Sequence, residues 1–201
     1  MNGDTVLTLV EAQLLSAFGE DSGRASVSFL GTEQVDVLRF GPDPDGLVRY
    51  ATLGMSRHPM GDPGADLVAA HGPRAELLLT VRDLQDTVLR RLAALAASPS
   101  VEGLVIAPGA GLDVGEPLWD GAAFTAVLVA EPGGQVPDLL VEEGEEPVRF
   151  LPVLPMTPSE AAWKRVHGAQ ALEALWLKHG TDLRDPHRGQ VPLEMPDAPA
   201  P

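Results

Sequence analysis

Two strand-like runs joined by a six-residue turn constrain the fold of this chain more than any other feature. Val35–Phe40 and Leu47–Leu53 are short and rich in apolar residues, which predicts a β-strand for each. The connector between them, Gly41–Gly46, contains two prolines, so it cannot continue a helix. We therefore expect an antiparallel β-hairpin early in the chain.

Two helices flank this hairpin in the sequence. Residues 4–18 have apolar side chains at helical spacing, and we expect Asp4 to cap the start of this helix and Gly19 to end it. A second helix is expected from a cap at Asp83 through Ala97. The expected apolar faces are Leu7, Val10, Leu14 and Phe18 in the first helix, and Leu84, Val88, Leu92 and Leu95 in the second.

A third helix has the clearest start signal. Thr157-Pro-Ser-Glu160 places a threonine at the cap, a proline in the first turn and a glutamate three residues later, which is a capping box. Gly168 is a point at which this helix can divide into two, and Gly180 can end it. Its expected apolar face consists of Trp163, Val166, Leu172, Leu175 and Trp176.

Further apolar runs predict the remaining strands. The expected strands are Ser26–Leu30, Ala75–Val81, Leu104–Ala107, Phe124–Ala130, Leu139–Glu142 and Val148–Leu154, with loops at 61–74, 98–103 and 108–121. Of these, Ala75–Val81 is a continuous apolar run of the kind covered on both faces, and Phe124–Ala130 is the expected central strand. Because Pro152 lacks an amide proton, its strand is expected to lie at an edge or to contain a bulge.

Strand runs bracketed by helices, with hairpins between strands, indicate an α+β fold with a mixed, mainly antiparallel sheet and about three helices. We expect one domain over residues 1–194, with its N-terminal helix at 4–18, its core at about 24–194, and a disordered tail at 195–201.

The formal net charge of −15 limits the classes of molecule that this chain is expected to bind. A surface this acidic repels phosphates, which argues against binding nucleic acid or an anionic membrane and favours a basic partner. The alternative to a basic partner is that the acidic surface serves only to keep the protein soluble. Acidic residues at the N-terminus and the lack of an apolar run of about 18 residues indicate a cytoplasmic protein without a membrane span.

The segment after the hairpin contains part of a hydrolase motif but lacks the rest of it. Gly54-Met-Ser56-Arg-His58 starts like a nucleophile elbow, yet His58 stands where the elbow needs a second glycine. The following Pro59 and glycines cannot readily form the helix that an elbow requires. An enzyme would have to bring Ser56, His58 and Glu76 together in one pocket. Because Glu76 lies inside an apolar strand, we expect it to have a partner.

Metal and nucleotide sites are not expected either. The five histidines do not show the spacing of known metal motifs, and the absence of cysteine excludes zinc–thiolate sites. The glycine-rich stretch Gly109–Gly115 has the wrong spacing for a phosphate loop and is not followed by a helix start. We therefore expect no cofactor.

The segment from residue 131 to 146 is acidic and contains no basic residue. It reads as a solvated turn between two strands, or as a contact surface for a cationic partner. The residues considered for partner contact are Ser56, His58, Glu142, Glu143, Glu145 and Glu146.

The order and the amino-acid sequences of these segments resemble the suppressor-of-fused domain family in its bacterial form. The resemblance rests on Val35–Leu38, Thr52–Met60, Ala75–Leu79, Phe124–Val129 and Val148–Pro155. It continues with Thr157, Glu160, Gly168 and Leu172 in the last helix, and with Thr181–Arg184 and Arg188-Gly189 after it. Many relatives have a Gly-His pair where this chain has Gly103-Leu104, so the role of that histidine is not carried over.

The resemblance implies a mixed α/β domain that binds protein and has no enzymatic activity. Eukaryotic relatives hold a short peptide by strand addition, whereas bacterial relatives often resemble immunity proteins that neutralise a toxin. We therefore expect an immunity-type protein with a protein partner, such as a basic toxin; the alternatives are an adaptor subunit and, third, the Ser56/His58 hydrolase. The residues expected to support the fold are Asp36, Gly54, Met55, Pro59, Glu76, Thr157, Glu160, Asp182 and Arg184.

Overall fold

The structure is a computed structural model that describes residues 2–29, 31–61, 72–142 and 144–193. These residues form four α-helices and a seven-stranded sheet, which confirms the expected α+β class. The helices are α1 (Gly3–Phe18), α2 (Val88–Glu102), α3 (Pro158–His167) and α4 (Ala169–Lys178). The strands are β1 (Gly23–Val27), β2 (Val35–Phe40), β3 (Leu47–Leu53), β4 (Arg74–Arg82), β5 (Gly111–Asp113), β6 (Ala126–Val129) and β7 (Val148–Met156).

The sheet has the strand order β1-β2-β3-β4-β7-β6-β5. Every neighbouring pair is antiparallel except β4 and β7, which run parallel, so the sheet is mixed and mainly antiparallel as expected. The predicted hairpin is confirmed, with Arg39 of β2 opposite Tyr50 of β3. The predicted doubly covered strand is the central strand β4, in which Ala75, Leu77 and Leu79 are each at most 1% exposed.

Helices cover both faces of the sheet. On one face α1 packs on alternate residues of the first strands, such as Leu38 and Phe40, while α3 and α4 pack further along on residues such as Leu128. The intervening residues, such as Val37 and Tyr50, point to the opposite face, which α2 covers. This alternation follows from the two-residue period of a strand.

Two predicted helix starts are wrong. The N-cap of α1 is Asn2, whose side chain accepts a hydrogen bond from the amide of Asp4, so the helix begins before the expected cap. Asp83 does not cap α2, because it has a positive φ of 58° and the helix begins only at Val88. Leu84, expected on the apolar face of that helix, is therefore 51% exposed.

The C-terminal end of α2 also differs from the prediction, because the helix runs through the expected loop at 98–103. Pro99 lies within the helix and cannot donate to the carbonyl of Leu95. The hydroxyl of Ser98 donates to that carbonyl at 2.7 Å instead. A local side-chain bond thus replaces the missing backbone bond and lets the helix continue to Glu102.

Several strand predictions need correction. The first strand lies at Gly23–Val27 and not at Ser26–Leu30, of which Leu30 is outside the described residues. Leu104–Ala107 has no strand structure, and β5 lies in the expected loop 108–121. Leu139–Glu142 contributes a single bridge from Leu139 to Val148. The strand within Phe124–Ala130 is buried but lies next to the edge strand and not at the centre of the sheet.

Strand β7 is interior, so the expectation of an edge or a bulge at Pro152 is wrong. The strand pairs with β4 through Val148–Pro152 and with β6 through Val153–Met156. Pro152 lies where the strand exchanges one pairing partner for the other, and its carbonyl accepts from the amide of Ala130 at 2.8 Å. The missing donor is tolerated at this change of partner.

The last helical region divides as the sequence allows. Thr157 forms the expected capping box with Glu160, and Gly168, with a φ of +89°, separates α3 from α4. Val166, expected on the apolar face, is 77% exposed. The expected tail at 195–201 and residues 62–71 of the expected loop 61–74 lie outside the described residues.

Candidate functional site

The loop that follows β3 is shaped by Gly54. This residue has a φ of +151°, and a Cβ atom placed there would lie 3.0 Å from the Cα atom of Val35. Only glycine fits both the angle and the close approach. The chain then forms a single 3₁₀ turn at Met55–Arg57 and leaves it at His58 in extended conformation, directly before Pro59.

A buried carboxylate holds this loop. Glu76 on β4 is 0% exposed and accepts four hydrogen bonds. Its Oε1 atom accepts from the amides of Gly54 at 2.9 Å and Ser56 at 3.0 Å, and from the Ser56 hydroxyl at 2.6 Å. Its Oε2 atom accepts from the hydroxyl of Thr52 at 2.6 Å, and that hydroxyl accepts in turn from the amide of Leu77 at 2.8 Å. Glu76 therefore has the partners that its place in an apolar strand requires.

Arg74, two residues before Glu76 on β4, binds backbone carbonyl groups of the same loop. Its Nη1 atom donates to the carbonyl oxygens of Ser56 at 2.8 Å and Arg57 at 2.7 Å. Burial lowers the pKa of Arg74 from its ordinary value, and the nearby charge of Glu145 acts in the opposite direction. The guanidinium thus supports the backbone of the loop from within the fold.

Ser56, His58 and Glu76 do not form a catalytic arrangement. Ser56 is 0% exposed and donates its hydroxyl proton to Glu76, so a substrate cannot reach the oxygen. The ring of His58 lies on the surface, and its Nε2 atom is 2.8 Å from Oε2 of Glu33. The hydrolase hypothesis for these residues is therefore wrong, and so is the expectation that Ser56 touches a partner, since only His58 of the pair is accessible.

A concave surface of about 470 Å³ lies beside the loop. Gly54, Met55, His58 and Pro59 form one of its walls, and Pro99 and Ser100 of α2 belong to another. Among the described residues, no group of histidines and acids has the arrangement of a metal site. This concave surface, with polar side chains at its rim, has a shape suited to contact with another molecule.

The acidic segment before β7 combines buried apolar residues with exposed carboxylates. Val136 and Val141 pack under α1, and Gln13 of that helix donates to the carbonyl of Pro137 at 2.9 Å. Of the acids considered for partner contact, Glu142 and Glu146 are exposed, Glu145 is half-buried, and Glu143 lies outside the described residues.

A buried ion pair that sequence reasoning missed fixes the segment after α4. Glu160 is 0% exposed, and its carboxylate accepts from Nη1 of Arg188 at 2.8 Å, the indole of Trp176 at 3.2 Å and the amide of Val191 at 3.0 Å. Arg188 also donates to the carbonyl of Pro155 at 2.6 Å. Burial raises the pKa of Glu160, but the bonds from Arg188, Val191 and Thr157 outweigh it and hold that pKa below its ordinary value.

The only advance signal for this pair was the capping box, which predicts the bond of Glu160 to its own cap and not to Arg188. The two residues are 28 positions apart, and no local pattern joins them. Their contact brings the C-terminal segment against α3 and against Trp176 near the end of α4.

Asp182 and Arg184 lie in the same segment and contact β4. Asp182 pairs with Arg82 at 2.6 Å, and the carbonyl of Arg184 accepts from the amide of Arg82 at 2.7 Å. The bond from Arg82 lowers the pKa of Asp182 to about 2. At the other end of the sheet, Asp36 lies 3.6 Å from Arg24 of β1.

The fold matches solved structures over most of its length. A SUFU homologue from Neisseria gonorrhoeae FA 1090 superposes with a TM-score of 0.68 at 18% identity, over 91% of this chain and 94% of that one. The Sufu–Fu complex gives 0.64 at 12% identity, over 92% and 91% of the two chains. Suppressor of Fused from Drosophila gives 0.62 at 13% identity, over 90% of this chain and 50% of that one.

No curated protein sequence matches this chain. Within the part of the chain that the structure describes, no helix has the length and apolar character of a membrane span. The family profile Suppressor of fused protein (SUFU) matches residues 31–189, which is well over half of the sequence. The chain therefore belongs to the suppressor of fused family.

Proposed function

We propose that this chain is a non-catalytic protein-binding domain of the immunity type, which binds a toxin in the cytoplasm and neutralises it. The observation that carries the proposal is the burial of Ser56 against Glu76. The hydroxyl that could have been a nucleophile is bound into the support of the loop. What the loop offers to other molecules is a shaped surface with His58 and Glu33 at its rim.

Family membership supports protein binding, because a structure with the same fold is the Sufu–Fu complex. The net charge of −15 supports a basic partner, since an acidic surface attracts it over a distance and speeds association. A toxin that acts on nucleic acid has a basic cleft, and the exposed carboxylates of Glu142 and Glu146 suit such a cleft.

The second candidate is an adaptor subunit of a larger bacterial complex. The Sufu–Fu complex favours it equally, because that structure concerns a protein partner and not a toxin. The gene next to this one separates the two proposals: a toxin gene favours the immunity protein, whereas an unrelated operon favours the adaptor.

The test is co-expression of the neighbouring candidate toxin with this chain in a heterologous bacterium. We expect growth to be restored by the wild-type chain and the purified pair to bind more slowly as salt increases. Glu142→Lys with Glu146→Lys should slow association severalfold, while Glu173→Lys on the exposed side of α4 serves as the matched control. Failure of the wild-type chain to restore growth would exclude that toxin as the partner, and catalytic turnover by the chain would contradict the proposal itself.

A further inference from the structure

The exposed side of α2 carries charges at both ends that oppose the helix dipole. Arg90 lies in the first turn and Glu102 is the last residue, and the first turn has no acidic residue and the last turn no basic one. A helix is stabilised by the reverse arrangement, with acids at its N-terminus and bases at its C-terminus. Because their charges do not stabilise the helix, Arg90 and Glu102 are candidates for contact with another molecule.

Arg90 and Glu102 are also unpaired within the described part of the chain. By contrast, the neighbouring Arg91 pairs with Glu116 at 2.5 Å, and most other arginines have a carboxylate or carbonyl partner. Both unpaired charges line one groove of about 740 Å³, which runs between α2 and β5. They lie about 18 Å apart along the helix, at a rise of 1.5 Å per residue.

Between these charges the exposed side of α2 carries small side chains, and the surface on either side of Glu102 is apolar. Ala94 and Ser98 occupy the middle of the exposed side, so a neighbouring backbone can approach closely. Val101, Leu104 and Val105 follow within five residues and are 59%, 40% and 52% exposed. Apolar side chains concentrated in this way mark an interaction surface.

We propose that a second copy of this chain covers this surface, which we call the α2 face and define as Arg90, Ala94, Ser98, Val101 and Glu102. The two α2 helices cross antiparallel about a twofold axis near residue 96. Arg90 of each copy then meets Glu102 of the other, and Ala94 meets Ser98, because both pairs are symmetric about the same position. The surface is thus complementary to itself, as a twofold interface requires.

Charge also favours this site over the rest of the molecule for self-association. Two chains of net charge −15 repel each other over most of their surfaces. Helix α2, with two arginines and one glutamate, carries one net positive charge. Here Arg90 and Glu102 of the two copies meet with opposite charge. Of the other acids that line the groove, Glu116 pairs with Arg91 and Asp113 lies 4.0 Å from Arg165. The groove beside Arg90 receives the protruding Val101 of the other copy.

The test is sedimentation of the full chain at micromolar concentrations, and it needs no toxin. We expect the wild-type protein to be dimeric. Arg90→Glu or Glu102→Arg alone should raise the dimer dissociation constant about tenfold or more, because each change places like charges at two symmetric contacts. The double variant, Arg90→Glu with Glu102→Arg, should restore the dimer.

The single changes also separate binding from folding. At concentrations below the dimer dissociation constant, where association adds no stability, each should keep or raise the midpoint of thermal unfolding, because each removes an unfavourable interaction with the helix dipole. Ala94→Trp should abolish the dimer by filling the centre of the contact, whereas Glu173→Arg, exposed on α4, should have no effect. A monomeric wild-type chain, or a dimer insensitive to these changes, would overturn the proposal.

Discussion

Replacing Glu76 by glutamine tests whether the loop after β3 is supported by a charged group. The substitution keeps the shape but removes the charge, so three of the four hydrogen bonds lose their charge assistance, at about 1 kcal/mol each. The new amide group must also face the hydroxyl of Thr52, which already accepts from Leu77 and would lose its own acceptor. We expect Glu76→Gln to lower the free energy of unfolding by about 3 kcal/mol.

Glu76→Ala should be worse, because four buried donors would be left unpaired at about 1–3 kcal/mol each. A loss of that size approaches the whole stability of a domain, so this variant should fail to fold cooperatively. Urea unfolding at neutral pH, followed by circular dichroism, measures both changes. Glu131→Gln is the matched control, since that side chain is 77% exposed and its ion pair with Arg149 is worth less than about 1 kcal/mol.

A Glu76→Gln variant within about 0.5 kcal/mol of the wild type would refute this reasoning. A more stable variant would refute it more strongly, because a carboxylate retained against stability is the mark of a group kept for activity.

Three further predictions follow from the supports of the loop and of the C-terminal segment. Gly54→Ala should destabilise by about 1–3 kcal/mol, because it clashes at a positive φ, whereas Gly133→Ala, which has open space, should not; urea unfolding decides. Arg188→Met should cost about 3–5 kcal/mol by leaving Glu160 unpaired and should expose residues 181–193 to hydrogen exchange; unchanged protection there would contradict the anchoring. Asp182 and Glu160 have pKa values below those of the unfolded chain, so each contributes fully above about pH 4.5. The contribution of Asp182 is lost as the pH falls toward 2, and that of Glu160 as the pH falls through its lowered pKa. Acid unfolding of Asp182→Asn should therefore depend less steeply on pH than that of the wild type, and an equal slope would count against the pair with Arg82.

Local signals were sufficient for the parts of the fold that depend on neighbours in the sequence. The hairpin of β2 and β3 follows from two apolar runs and a proline-rich turn, and the capping box at Thr157 needs only four residues. The start of α2 could not be found in this way. Asp83 resembles a cap, but the hydroxyl of Tyr50, 35 residues earlier, accepts from the amide of Gln85 and holds the chain out of the helix.

The same distinction applies to the candidate site. That Glu76 needs a partner follows from a charge in an apolar strand, but its four donors lie 20–24 residues earlier and are brought to it by the pairing of β3 with β4. The ion pair of Glu160 with Arg188 spans 28 residues and has no local signal. Strand β5 has only three residues, of which Leu112 alone is half-buried, so no apolar pattern predicts it and its place at the edge follows from its pairing with β6.

The most direct test of protein binding is affinity purification of the full chain from its native host, followed by calorimetric titration of the recovered protein. We predict a basic partner that binds at a one-to-one ratio and loses its toxicity on binding, equally with the Ser56→Ala chain, provided that variant folds. Purified chain that converts a small molecule, with turnover abolished by Ser56→Ala in a folded protein, would contradict the account.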